Sequence, residues 1–379
     1  VTDQTSLAEL AKLFLRLGAT AFGGPAAHIA IMEDEVVRRR RWLSEEGFLD
    51  LISAANLIPG PNSTELAIHI GWSRRGFAGL AVAGTAFIVP GMAITLAIAW
   101  AYVRFGTLPA AGALLYGIKP VILAVVAQAI WSLLPKAAKT WRLRLLGALS
   151  VALTAFGVSE LVVLFGAGFV AVALANRRAP SLEVKSLFVP FLPIVGLGAS
   201  AAPLSLPSLF GVFAKIGSIL FGSGYVLLAF LRADLVDRLG WLTEAQLIDA
   251  VAVGQVTPGP VFTTATFVGY VLAETPGALV ATAGIFLPAF VFVALSGPIV
   301  PRLRASRTAG AFLDGVNVAS LALMIVVTAE LARAALVDLP TIALGLAAAA
   351  LLIRFKVNST WLIAGGAAAG IALHALGLA

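Results

Sequence analysis

The chain alternates long apolar stretches with short polar or basic ones. Residues 76–102, 108–134 and 311–332 each carry at most two charges and exceed the ~20 residues a helix needs to cross ~30 Å of hydrocarbon. Four stretches break this pattern. Residues 6–37 run apolar, meet Phe22-Gly23-Gly24-Pro25 and then turn charged. Residues 43–73 hold a helical spacing (Phe48, Leu51, Ile52, Ala55) that Pro59-Gly60-Pro61 interrupts. Phe221-Gly222-Ser223-Gly224 and Pro258-Gly259-Pro260 interrupt the corresponding stretches of the second half. Proline removes a backbone donor, clashes with the preceding turn and disfavours helix in the residue before it. Unwound backbone at membrane depth survives only where protein buries it or where it lines a polar cavity. A single break would read as a packing kink; four at related positions predict discontinuous or re-entrant helices that meet near the bilayer middle.

Those relations are part of a repeat with a spacing of about 199 residues. Trp42-Leu43-Ser44-Glu45 matches Trp241-Leu242-Thr243-Glu244, Asp50 matches Asp249, and Asn56 with Pro59-Gly60-Pro61 matches Gln255 with Pro258-Gly259-Pro260. With a shift of one residue, Pro90 pairs with Pro288 and Gly117 with Gly315. Basic residues set orientation, because cytoplasmic loops carry the excess of Lys and Arg. The first half places them at 38–41, 74–75 and 136–144, whereas the second places them at 302–307 and 354–356, in loops whose first-half partners are weakly charged. The sequence therefore predicts an all-α, polytopic integral membrane protein of two inverted-topology repeats with discontinuous or re-entrant helices. The first repeat covers 1–180, a connecting apolar segment 181–207, and the second repeat 208–379. Rocking of one repeat against the other is the expected motion, since duplicated folds of this kind alternate access around a central site.

Composition agrees with this reading. Of 379 residues, 60% are hydrophobic and only 12% charged, and mean hydropathy is +0.99. A water-soluble domain carries about 25% charged residues. The net charge of +7 belongs to loops and not to a nucleic-acid surface. With no cysteine, disulfides and thiolate metal sites are excluded, and neither a metal nor a cofactor is expected. No His-Glu-x-x-His, P-loop or Gly-x-Ser-x-Gly pattern occurs, so the chain reads as a transporter without ATP chemistry of its own and not as an enzyme.

After each break a new helix begins, and its first turn exposes free N–H groups at the positive end of the helix dipole. Asn62, Ser63 and Thr64 in the first repeat and Thr263 and Thr264 in the second add amide and hydroxyl donors. The turns at Gly23, Gly24 and at Gly222, Ser223, Gly224 allow close backbone approach. A tetrahedral dianion needs many donors and little formal positive charge, which this arrangement offers. Donors of this kind do not choose between chromate, sulfate and phosphate.

The runs Phe22–Ala30, Glu35–Glu45 and Asn56–Glu65, together with Gln255–Val261 and Phe267–Tyr270, resemble the long, two-domain members of the chromate ion transporter (CHR) family over essentially the whole chain. The resemblance implies export of chromate across the bacterial inner (plasma) membrane, sulfate as a related anion and the proton gradient as driving force. An uptake carrier for sulfate or another oxyanion, or an anion channel, stays open beside it, as does a homo-oligomer.

Single charges have two readings each. Arg16 and Lys215, at matched positions before the Phe-Gly breaks, either attract the anion or snorkel and pair with an acid. Glu65, with Thr264 as its counterpart, is a proton carrier beside the anion or a helix N-terminal acid that partners Arg74. His28 and His69 are proton relays or structural histidines. Lys119 with Asn317, and Tyr116 with Asp314, are matched pairs that could line the pathway. Asp50 and Asp249 support the broken loops. Thr243 and Gln246 fit a capping box.

Overall fold

The computed structural model describes residues 5–21, 24–106, 109–175, 203–221, 226–296, 306–355, 357 and 359–376. Helices make up the fold, and no strand occurs among the described residues. The first repeat contains α1 (Leu7–Thr20), α2 (Gly24–Glu33), α3 (Glu45–Ala55), α4 (Asn62–Phe105), α5 (Pro109–Ala137), α6 (Trp141–Ala155) and α7 (Glu160–Ala175). The second contains α8 (Leu206–Ile219), α9 (Leu227–Leu231), α10 (Glu244–Val256), α11 (Thr264–Ser296), α12 (Arg307–Ala335), α13 (Leu339–Phe355) and α14 (Ser359–Ala375). The elements correspond one to one. Most of the segment 181–207, with Gly23, Gly222, Ser223 and Gly224, lies outside the described residues.

Local chemistry repeats as well. Ser6 and Glu9 form a capping box on α1, and Ser205 and Ser208 form one on α8. Thr243 and Gln246 cap α10 reciprocally, as their spacing indicated. A wide π-turn follows α2 at Asp34–Arg39 and α9 at Arg232–Arg238. α4 folds back on itself at Arg75 and Gly76 (φ +57°), and α11 does so at Ala273 and Glu274 (φ +50°). Glycine lets the legs close: Gly71 abuts the Gly79 carbonyl, and Gly269 the Gly277 carbonyl. The folded-back first leg of each is only about half as long as a full span.

The helices sort into two layers that do not follow the repeat boundary. α1 packs on α4, α8 on α11, and α4 on α11, which forms a central core. α5 packs on α13 and α14 of the other repeat, α12 packs on α6 and α7, and α5 packs on α12, which forms a frame. Each repeat thus lends its last two helices to its partner's long span. Small residues permit the crossings, with Gly117 against the Gly366 backbone and Gly315 against the Ala167 carbonyl.

Two contacts establish how the repeats lie. Tyr116, in the first third of α5, donates to Asp338, just past the end of α12, at 2.6 Å. Lys139, just past the end of α5, reaches Asp314 near the start of α12 at 2.9 Å. The equivalent helices α5 and α12 therefore run antiparallel, so the repeats are inverted. Both pairs tie the ends of spans together. Asn62–Phe105, Gly112–Ala137, Val261–Ser296 and Arg307–Ala335 are long and apolar enough to cross a membrane. Trp131, Leu145, Leu346 and Trp361 stand exposed on the outside, where lipid is the matching solvent.

Candidate functional site

The breaks meet at the centre of the core. α1 ends in extended backbone at Ala21, and α8 ends the same way at Leu220. Opposite them lie the two Pro-Gly-Pro turns. Gly60 N–H donates to the Leu220 carbonyl at 2.8 Å, and Gly259 N–H donates to the Ala21 carbonyl at 3.0 Å. Each turn is thus strapped to the broken helix of the opposite repeat by a reciprocal bond. Gly60 (φ +138°) and Gly259 (φ +83°) hold conformations that a side chain disfavours. A Cβ on Gly259 would lie 2.8 Å from the Gly18 carbonyl oxygen, and one on Gly91 would lie 2.9 Å from that of Pro258. These approaches are possible because Gly259 and Gly91 carry no Cβ.

α4 then starts at Asn62, while a single 3₁₀ turn, Val261–Thr263, leads into α11. Helix geometry leaves the N–H groups of the first positions, Asn62 and Ser63 in α4, without intrahelical acceptors, whereas Thr64 N–H donates to the Pro61 carbonyl at 2.7 Å and Thr263 N–H to that of Pro260 at 3.0 Å. Asn62 donates to Asn56 at 2.7 Å. Ser63, buried, pairs with His28 at 3.3 Å, and the other nitrogen of His28 meets the Ala21 carbonyl at 3.1 Å. Thr263 is fully buried, donates to the Pro260 carbonyl at 2.9 Å and accepts from Thr95 at 3.3 Å. Thr264 donates to the Val261 carbonyl at 2.8 Å. Thr64 is fully buried with no hydrogen-bond partner on its hydroxyl oxygen.

Glu65 departs from the symmetry. Its side chain is fully buried, neither carboxyl oxygen has a hydrogen-bond partner, and Oε1 lies against Gly60. Arg74 spends its donors on Thr5 (2.9 Å) and the Trp42 carbonyl (2.9 Å). One turn beyond Glu65, His69 is buried with Nε2 unpartnered. A buried polar group without a partner costs about 1–3 kcal/mol, so three on neighbouring turns of α4 mark a place where stability is yielded to something else.

The two cations predicted near the site are ion-paired. Arg16 meets Glu35 at 2.7 Å, and Lys215 meets Asp234 at 2.6 Å. Arg39 and Arg238 join the same carboxylates at 3.2 and 2.9 Å. Burial pushes the Glu35 carboxyl up, but hydrogen bonds and charge from Arg16, Arg40 and Arg39 together hold it below its ordinary value. The paired acids were missed in the sequence, although each lies equally far from its cation and both fall at matched positions. Arg16 and Arg39 nevertheless line a 430 Å³ cavity with Leu17, Thr20 and Glu35, beside the end of α1. Arg16 stays 49% exposed there, against 19% for Lys215.

Interrupted helices from inverted halves, joined around buried polar groups among helices long and apolar enough to cross a membrane, define a polytopic membrane transporter. The profile of the family described as Chromate transporter matches residues 8–172 and, again, 207–371. The chain belongs to that family. It is 34% identical to the chromate transport protein of Cupriavidus metallidurans over 98% of this chain and 94% of that protein. It is 32% identical to the chromate transport protein of Pseudomonas aeruginosa over 91% of this chain and 86% of the relative. No solved structure gives a significant match.

Proposed function

We propose that this chain is a secondary transporter that exports chromate or a related divalent oxyanion across the bacterial inner membrane, driven by the proton gradient. The anion sits at the junction of the four breaks, between the first turns of α4 and α11, with Gly24 at the start of α2 contributing a further N-terminus. The reciprocal Gly60–Leu220 and Gly259–Ala21 hydrogen bonds support this reading, because they tie the turn that precedes each of α4 and α11 to the broken helix of the opposite repeat. Each N-terminus acts as roughly half a positive charge, so a few of them stabilise a dianion without a formal cation in the pocket. Asn62, Ser63 and Thr64 supply side-chain donors, and Thr263 and Thr264 do so by exchanging the Pro260 and Val261 carbonyls for the anion.

Glu65 is the proton carrier in this scheme. A carboxylate one turn from a bound dianion is repelled by it and takes a proton more readily, which links the two ligands. His28 and His69 flank it as relay candidates. Arg16 collects anions at the mouth of the adjoining cavity, with its charge only partly offset by the shared Glu35; Lys215 holds the matching place in the second repeat.

The test is chromate uptake into everted membrane vesicles carrying the chain. Asn62→Ala and Thr263→Ala are each expected to raise the half-saturating chromate concentration at least tenfold while the protein stays folded. Unchanged affinity in both variants would move the site elsewhere. Conductive flux that does not saturate would replace the carrier with a channel.

A further inference from the structure

Beyond the central junction lies a polar cluster that joins both repeats across the seam between core and frame. Lys119 of α5 contacts Asp249 of α10 at 3.1 Å, and Tyr102 near the end of α4 donates to the other oxygen of Asp249 at 2.9 Å. Asp249 is 5% exposed. Seven residues of α10 and its cap Thr257 separate it from Pro258, so the cluster stands about 13 Å from the breaks, on the side where α10 begins. A lysine within a span is costly, and such residues face a partner or a path.

The matched place on the opposite side is open. Asn317 stands where Lys119 would be, and Asp50, the counterpart of Asp249, is exposed together with Ser53 and Asn56 on one stripe of α3. In α10 the same positions are the buried Asp249 and Ala252 and the half-buried Gln255. α10 packs on α5 and α12, whereas α3 packs on α4 and makes no comparable contact with the frame. Two elements that the repeat makes equivalent thus differ in state: α3 is released and α10 is docked.

We propose that Lys119 is a contact for the transported oxyanion on the far side of the central site, latched here by Asp249 and Tyr102. When α10 leaves α5, the ammonium exchanges the Asp249 carboxylate for the passing anion, and the Tyr102 hydroxyl stays with Asp249. A compact ammonium suits this role, since it holds an oxyanion as a point charge without fixing its orientation. The proposal rests on the central-site reading above.

The chain has no cysteine, so single thiols report alone. Ser53→Cys and Ala252→Cys occupy matched positions, and a membrane-impermeant maleimide presented to both faces in detergent is expected to label the first at least tenfold faster. Adding Asp249→Asn to the second is expected to raise its labelling severalfold. Lys119→Gln is expected to leave equilibrium sulfate and chromate binding within about threefold while lowering proteoliposome transport at least tenfold, and Lys119→Arg is expected to restore part of the rate. Equal labelling at the two positions overturns the latch. Unaltered transport by Lys119→Gln overturns the anion contact, and so does a loss of binding and folding together that Lys119→Arg repairs no better than Lys119→Gln does. Should Asn62→Ala and Thr263→Ala leave binding unchanged, the central-site reading fails, while the labelling contrast still reports on the latch.

Discussion

Replacing Gly259 by alanine should separate the cost of an unusual backbone from the cost of losing the strap between repeats. Two penalties act at once. Gly259 holds φ +83°, where an L-residue pays about 1–2 kcal/mol. Its new methyl would also lie 2.8 Å from the Gly18 carbonyl oxygen and 3.5 Å from Gly91 Cα. Neither obstacle is a side chain that can rotate away, so overpacking adds about 1–3 kcal/mol. Relief requires the Pro-Gly-Pro turn to draw back from α1, which stretches the Gly259–Ala21 hydrogen bond. Gly157 provides the control, because it sits at φ +79° with nothing within 4 Å of a Cβ. Gly157→Ala therefore carries the first penalty alone. Thermal midpoints in detergent and chromate flux in proteoliposomes would be compared for the two variants. Gly157→Ala is expected to transport at nearly the parent rate, and Gly259→Ala is expected to lose at least tenfold in rate while still eluting as a folded species. Equal behaviour of the two would refute the reasoning, since the close approach would then contribute nothing.

In the turn after α2, Glu35→Gln should flatten the acid limb of stability against pH. The folded Glu35 carboxyl lies below its ordinary value of 4.5, so its contribution is present above that value and is lost as pH falls through the lower, folded one; thermal midpoints measured down through the acid range check the slope. In the frame, Gly117→Ala should cost about 1–3 kcal/mol and lower the thermal midpoint, because its methyl would meet the Gly366 carbonyl and lie 2.7 Å from Gly370 N. Gly112→Ala has nothing within 4 Å and should be neutral in the same assay.

The parts of this fold that violate local rules were the legible ones. Proline, glycine and proline in succession cannot continue a helix, so the breaks before Asn62 and Val261 follow from covalent geometry. Inversion was legible because charge placement responds to the membrane and swaps between matched loops. Packing partners were not legible. α5 is apolar around most of its circumference, and such a helix carries no directional signal to say that it rests on α13 and α14 of the other repeat. The partners of Arg16 and Lys215 depend on α1 with α2, and α8 with α9, folding back as hairpins, a separation that no helical periodicity encodes. Lys119 and Asp249 were each visible as matched positions, yet their meeting across the seam is broken by Asn317 on the other side and had no sequence echo. The unpaired burial of Glu65 is a property of the assembled core alone.

The exchange of helices between repeats decides what can move. Rocking of one repeat against the other would pull α5 from α13 and α14 and α12 from α6 and α7, undoing contacts closed at Gly117 and Gly315. A motion of the core, α1–α4 with α8–α11, against the frame leaves all of those intact, which predicts a moving boundary at the seam and not at the repeat junction. On the docked side the seam is stitched by Lys119–Asp249 and by Arg232, which binds Asp237 and Glu244 within the core at 2.8 and 2.7 Å and Glu330 of α12 at 2.8 Å. Position 33 in the first repeat, which matches Arg232, is a glutamate paired locally with Arg38 at 3.0 Å. In this cysteine-free chain, a reducible bifunctional thiol reagent across Arg232→Cys and Glu330→Cys should stop transport, and reduction should restore the rate that variant had before cross-linking. The same reagent across Lys139→Cys and Asp314→Cys joins two frame elements and should leave transport running. Block by the frame cross-link, or free transport with the seam closed, would return the motion to the repeats.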